Sequence, residues 1–172
     1  QRYQIVLTMF NKKNFFLALI TVSFVAHANY TIFTSSGITE GQINNKVISW
    51  HDIPYAQPPI GNLRWKAPKE ITSPNLNIEP KDNNFCIQET SSLGGSAQFS
   101  NAIVSGSEDC LYLDIFAPKN YKNKALPVMF WIHGGGNTSG LKDLYEFNKM
   151  VEKHNVIVVR INYRLGPFGW FT

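Results

Sequence analysis

Residues 127–161 read PVMFWIHGGGNTSGLKDLYEFNKMVEKHNVIVVRI. Pro127 to Ile132 is a continuous apolar run, the pattern of a strand covered on both faces. Leu144, Phe147 and Val151 fall at helical spacing and predict an amphipathic helix over 142–154. Val156 to Ile161 is a second continuous apolar run. Strand, helix and strand in that order make a parallel βαβ unit, whose crossover is right-handed. The fold class is therefore α/β.

Upstream, Leu111, Leu113 and Ile115 alternate with Tyr112, Asp114 and Phe116, a half-buried strand. Pro118 to Ala125 is polar and lysine-rich and reads as a hairpin connection. Antiparallel strands thus lead into a mostly parallel sheet. Residues 66–107 are rich in Pro, Asn, Ser and Gly and read as one long loop, a length that calls for a function or a staple. The three prolines in Ile53-Pro-Tyr-Ala-Gln-Pro-Pro-Ile-Gly61 exclude regular structure there. Residues 31–53 read as short strands broken at Gly37 and Gly41. A parallel sheet with only two strands formed by residue 161 is expected to be incomplete, so residues 29–172 read as the amino-terminal portion of a longer domain.

The 172 residues are 44% hydrophobic and 16% charged, a globular composition. The net charge of +4 invites a nucleic-acid reading, but Arg2, Lys12 and Lys13 lie in an acid-free leader, and the remainder holds 13 basic against 12 acidic residues. No groove-like cluster of Lys and Arg remains, so no nucleic-acid partner is expected. Met9-Phe-Asn-Lys-Lys13, the apolar core Phe15 to Ala26, and Ala26-His-Ala28 form a secretory signal peptide starting at Met9 and cut after Ala28. The core is short for a membrane span, which needs roughly 20 residues, so an uncleaved anchor is the lesser alternative. A secreted or periplasmic protein follows, with Gln1 to Thr8 as upstream residues. Cys86 and Cys110 are the two cysteines. In an exported chain they suggest a disulfide, against the alternative of two buried thiols.

His133-Gly134-Gly135-Gly136 directly follows the first apolar run. Consecutive glycines reach positive φ and let successive N–H groups converge on an anion. In acyl transfer that anion is the tetrahedral oxyanion, and losing one donor costs about 2.7–4 kcal/mol. The same residues also suit a plain turn after a strand, so the motif alone leaves both readings open.

Four blocks in order resemble the type-B carboxylesterase and cholinesterase family over residues 37–172. They are Ile53 to Trp65 (IPYAQPPIGNLRW), Ser107 to Leu113 (SEDCLYL), Trp131 to Gly136 (WIHGGG) and Asn162 to Gly166 (NYRLG). The resemblance implies an α/β-hydrolase fold. It implies that the N–H groups of Gly135 and Gly136 are oxyanion-hole donors, with a third donor after a nucleophile elsewhere. It further implies a Cys86–Cys110 disulfide, an Arg64–Glu108 ion pair tying the proline-rich block to the cysteine loop, and a structural role for Arg164 whose partner lies beyond Thr172. His133 is expected to brace the glycine loop, and His51 and His154 to be surface or packing residues. The adjacent carboxylates of Glu108 and Asp109 are read as scaffold rather than acid–base pair. Asn137 stands where many relatives carry an aromatic or bulky apolar residue. Asn137-Thr-Ser139 is also a glycosylation sequon, and a glycan there would obstruct the loop unless the site is buried or the source lacks the modification.

The resemblance implies a serine ester hydrolase acting on small carboxylic esters, with no cofactor and no metal. The chain contains no G-x-S-x-G turn, so the triad is absent from it and these residues alone are expected to be inactive. The alternative is a catalytically inactive cholinesterase-like binding or adhesion module.

Overall fold

The computed structural model describes residues 30–82, 84–92, 94–99 and 101–171. The leader read over residues 1–28 lies outside them. Four strands come first: β1 (Thr31–Thr34), β2 (Gly37–Glu40), β3 (Gln42–Asn44) and β4 (Val47–Pro54). The cysteine loop carries β5 (Gln88–Glu89) and β6 (Val104–Ser105). Then follow β7 (Tyr112–Pro118), β8 (Val128–Ile132), α1 (Asn148–His154), β9 (Ile157–Ile161) and α2 (Gly166–Trp170). The main sheet has the order β3-β4-β7-β9-β8. β4, β7 and β9 pair antiparallel, and β9 pairs parallel with β8 from Val128↔Ile157 to Ile132↔Ile161. The antiparallel strands lead into a parallel pair as the sequence predicts, but Pro118 to Ala125 is not a hairpin connection, because β9 lies between β7 and β8.

Each face of the sheet has its own core. On one face Val47, Phe116 and Val158 pack with Phe147, Val151 and Val156, which places α1 there. On the other, Ile48, Trp50, Ile53, Ile78 and Ala117 pack with Tyr30, Ile32, Leu113 and Ile115. β4 serves the second core through a bulge between Trp50 and Ile53. One extra residue reverses the two-residue alternation, so Trp50 and Ile53 face the same way. Asp52 occupies the bulge at φ 56°, a conformation that Asp tolerates better than most residues.

Further expectations need correction. β7 is not half-buried: its apparently polar face, Tyr112, Asp114 and Phe116, is the more deeply buried one, because Asp114 meets polar and charged partners from three other segments. The apolar strand β8 is not covered on both faces. Val128, Phe130 and Ile132 are 58–60% exposed, since β8 is the sheet's edge and pairs with β9 alone among the described strands. The helix expected over 142–154 is shorter. Phe147 and Val151 do pack inward, but Leu141 and Tyr145 are extended and Lys142–Leu144 is one 3-10 turn that sends Lys142 into the interior. α1 stops where Asn155 turns left-handed at φ 53° and its N–H returns to the Val151 carbonyl. The long loop over 66–107 contains the β5–β6 ladder, and the proline-rich block begins inside β4.

Asp114 is wholly buried. Its carboxylate accepts from Arg160 Nε at 2.7 Å, Lys142 Nζ at 3.0 Å and the Asp52 N–H at 2.9 Å, with His51 Nδ1 at 3.3 Å. Asp52 and Asp143 complete the cluster on Lys142, and Asp143 also pairs with Arg160. Burial alone would raise the Asp114 pKa; the His51 hydrogen bond, the Lys142 and Arg160 charges and the Asp52 N–H outweigh it and hold the carboxyl well below the usual carboxylate range. Burial likewise disfavours the Lys142 ammonium, and its three carboxylate neighbours reverse that. His51, read as a packing or surface residue, does pack edge-on against Phe116 and is also part of this cluster.

A carboxyl with a depressed native pKa stabilises fully above its unfolded value, about 3.9, and loses that contribution as pH falls through the native one. Urea unfolding should therefore show stability declining with acid below about pH 5, with a shallower decline in Asp114→Asn. At neutral pH Asp114→Ala should cost about 3–5 kcal/mol, because two buried cations lose their shared partner.

Candidate active site

The parallel β8–β9 register brings two strand ends side by side, with Ile132 opposite Ile161. Ligand sites in open α/β sheets lie beyond such carboxyl ends. Here the loop His133–Gly140 leaves β8 and the segment Asn162–Leu165 leaves β9. His133 is buried. Its ring stacks on Tyr163 at 4.3 Å between centroids, and the Tyr163 hydroxyl donates to the His133 carbonyl at 2.7 Å. His133 Nδ1 lies 2.9 Å from the Gly134 carbonyl oxygen, which assigns the proton to Nδ1. Nε2 has no partner among the described residues. Burial lowers the His133 pKa, and the Gly134 hydrogen bond opposes it only in part.

The loop winds around one oxygen. Thr138 N–H, Ser139 N–H and Thr138 Oγ1 all donate to the Gly135 carbonyl at 3.1 Å. Gly135 has φ 128°, and a Cβ there would lie 1.9 Å from the Ser139 carbonyl oxygen, so no other residue fits without moving the turn. Gly136 has φ 60°. Residues 134–138 are exposed, and among the described residues the Gly135 and Gly136 N–H groups donate to no protein acceptor. Asn137 is exposed at φ 58°, and its carbonyl accepts from Gly166 N–H at 2.7 Å. The sequon is therefore not buried.

The trailing end of the loop is held by Gln88 and Asn162, neither of which the sequence assigns a role of its own. Gln88, from the cysteine loop, pairs its side-chain amide with the Gly140 backbone at 2.8 Å in both directions. Asn162 Oδ1 accepts from Lys142 N–H at 2.7 Å, and its Nδ2 donates to the Asn84 carbonyl. The signals available were the place of Gln88 two residues after Cys86 and that of Asn162 at the head of the NYRLG block. An open cleft runs beside the loop, between Thr138 and Ser139, the Gly166–Phe168 turn, and Ile87–Ser91.

The remaining candidate residues build the frame. Cys86 and Cys110 form a disulfide that sits in a small core with Ala56, Leu111 and Leu165. Arg64 and Glu108 form a two-bond pair, Nε–Oε2 2.6 Å and Nη2–Oε1 2.5 Å, which joins the proline-rich block to the cysteine loop. Trp65 stacks on Phe168 and donates to the Pro167 carbonyl. Arg164 finds a partner within the chain, its Nη1 donating to the Lys66 carbonyl at 3.0 Å. Asp109 accepts from the Tyr112 hydroxyl at 2.7 Å and lies 3.6 Å from Lys81 Nζ. His154 lies in the last turn of α1, away from the loop. Among the described residues no group of three or more side chains could hold a metal ion, and no helix is long and apolar enough to cross a membrane.

Comparison with known proteins gives concordant matches. A family model described as the carboxylesterase family matches residues 28–172. The chain is 38% identical over 174 residues to juvenile hormone esterase of Tribolium castaneum, covering 93% of this chain and 29% of that protein. It is 41% identical over 143 residues to para-nitrobenzyl esterase of Bacillus subtilis strain 168, covering 81% and 28%. The solved structure of a thermophilic PNB esterase superposes with a TM-score of 0.71 at 38% identity, covering 81% of this chain and 29% of the other. The chain thus spans less than a third of the length of these relatives.

A buried imidazole that stays neutral stabilises fully above the unfolded pKa of about 6.5 and loses that contribution as pH falls, because the unfolded chain takes up a proton more readily. In an NMR titration the His133 ring should protonate only below about pH 6.5. A midpoint at or above that value would contradict the buried, Nδ1–H assignment.

Proposed function

The chain belongs to the carboxylesterase family, and on that premise we propose that the whole protein is a carboxylic ester hydrolase in which Gly135 and Gly136 are the oxyanion donors. One observation carries the reading. Two adjacent amides without a protein acceptor among the described residues stand at the carboxyl end of a strand, in a loop whose Gly135, Asn137 and Gly140 carbonyls and Thr138, Ser139 and Gly140 N–H groups are all engaged. An oxygen that gains negative charge there meets donors already in place, and none need reorganise during the reaction.

In this mechanism a serine hydroxyl attacks the ester carbonyl carbon as a histidine takes its proton. The carbonyl π electrons move to oxygen, and the Gly135 and Gly136 N–H groups stabilise that oxyanion. Collapse expels the alcohol, which takes the proton from the histidine, and water releases the acid by the same route. The chain holds no G-x-S-x-G turn, so the reading assigns the serine, the histidine and the acidic residue to the part of the relatives' length that this chain does not span. His133 is not the base: its Nδ1 proton is spent on Gly134 and its ring is stacked on Tyr163. The substrate is a small carboxylic ester, and the cleft along Thr138, Ser139 and the Gly166–Phe168 turn is the ground it would occupy. Export belongs to the same proposal, supported by the disulfide, which persists in oxidising compartments.

The full-length protein should hydrolyse a p-nitrophenyl ester in a reaction blocked by a serine-directed phosphonate. Gly135→Val should lower kcat at least about 100-fold, the scale of one lost oxyanion donor. Wild-type turnover in that variant would remove the role given to Gly135. A full-length protein that folds yet turns over no ester would leave the binding-module reading in its place. Purified residues 29–172 should show no phosphonate-sensitive turnover.

A further inference from the structure

Gln88 is 5% exposed and takes no part in the ester chemistry proposed above. Its amide is nonetheless fully committed. Nε2 donates to the Gly140 carbonyl at 2.8 Å and to the Cys86 carbonyl at 3.0 Å, and Oε1 accepts from the Gly140 N–H at 2.8 Å. Both amide protons and the carbonyl oxygen are used, so the group fits in one orientation only. The side chain thus gives Gly140 the two-bond contact that a neighbouring strand would give.

What Gly140 touches makes this contact more than a fastening. Gly140 has φ 125°, and a Cβ there would lie 2.2 Å from His133 Nδ1 and 2.6 Å from the Gly134 carbonyl oxygen. Its backbone is therefore packed directly against the ring and the peptide that open the glycine loop. Ser139, just before it, is crowded by Gly94 of the same cysteine loop, where an added Cβ would meet Ser139 at 2.8 Å. Gln88 lies two residues from Cys86, which the disulfide ties to Cys110 at the head of β7. A continuous line of contacts runs from the disulfide through Gln88 and Gly140 to His133 and Gly134.

We propose that Gln88 is a positioning residue for the oxyanion loop: it fixes Gly140, and through Gly140 the direction in which the Gly135 and Gly136 N–H groups point, with the Cys86–Cys110 disulfide holding it in place. The inference rests on the ester-hydrolase reading. Oxyanion donors act only when aimed in advance, and a displacement near 1 Å costs on the order of 100-fold in rate. Without Gln88 the loop keeps its turn around the Gly135 carbonyl and its link to Gly166, so substrate still binds while the donors lose their aim.

The test uses the full-length protein with Gln88→Met, which keeps the volume and removes all three bonds, and Gln88→Glu. For a p-nitrophenyl ester, Gln88→Met should lower kcat about 100-fold with KM changed less than about threefold. Hydrogen exchange should quicken at Gly140, whose N–H loses its Gln88 acceptor, with β4 and β7 amides unchanged. The Gln88→Glu carboxylate can accept from Gly140 N–H but repels the Gly140 carbonyl, and its protonated form restores both contacts. The ratio of its kcat to wild type should therefore rise as pH is lowered, while the Gln88→Met ratio stays flat. A kcat within about threefold of wild type in Gln88→Met, or exchange quickened equally through β4 and β7, would overturn the proposal. If the unsubstituted protein hydrolyses no ester, the ester reading fails by that result, and the exchange contrast at Gly140 still decides whether Gln88 sets the loop.

Discussion

The parallel pairing of β8 with β9 is the constraint on which the rest of the structure depends. Its register sets Ile132 opposite Ile161, so the residues that follow each strand emerge at the same height. That alone brings His133 under Tyr163 and lets Asn137 receive the Gly166 N–H. A slip of one residue would invert every side chain of the strand. It would also part the glycine loop from the segment that it leans on. The geometry of the site follows from strand pairing before any side chain of the loop is considered.

The sheet's interior solves a second problem, the burial of charge. Asp114 and Arg160 are directly paired positions on β7 and β9, on the face that α1 covers. Buried charges persist only when paired and hydrogen-bonded, and the surrounding segments are bent to meet that need. The bulge in β4 turns the Asp52 N–H away from the ladder and onto Asp114. The chain before α1 is extended so that Lys142 can reach the cluster. These two irregularities, costly in local terms, are adjacent to the site. Lys142 lies two residues beyond the glycine loop, so the charge cluster also anchors the loop's exit.

The loop is consequently held from several sides while its own amides stay exposed. Tyr163 fixes its entrance, Gly166 its apex, Gln88 and Asn162 its exit. The cysteine loop, the proline-rich block and α2 form a frame around it, joined by the disulfide, the Arg64–Glu108 pair and the stacking of Trp65 on Phe168. Rigid support around unengaged donors is what electrostatic stabilisation of a transient anion requires. Glu108 and Asp109 are tied into the same frame, Glu108 to Arg64 and Asp109 to Tyr112 and Lys81.

Much of this was readable from local pattern. The apolar runs at 127–132 and 156–161, the helical spacing of Phe147 and Val151, and the glycines after His133 each reflect an interaction within a few residues, and the α/β class with its parallel pair follows from them. The Arg64–Glu108 and Cys86–Cys110 pairings were readable through family resemblance, since nothing local links positions 44 and 24 residues apart. The exposure of β8, the inward turn of Lys142, the burial of Asp114 and the grip of Gln88 on Gly140 were not readable. β8 has the composition of a covered strand, and only the strand order puts it at an edge. Asp114 and Lys142 look like solvated charges until residues 46 and 28 positions from Asp114 are brought to it. Local sequence specifies which backbone conformations are favourable; which polar groups lose water, and which partners must then replace it, depends on contacts between distant segments that exist only once the chain has folded.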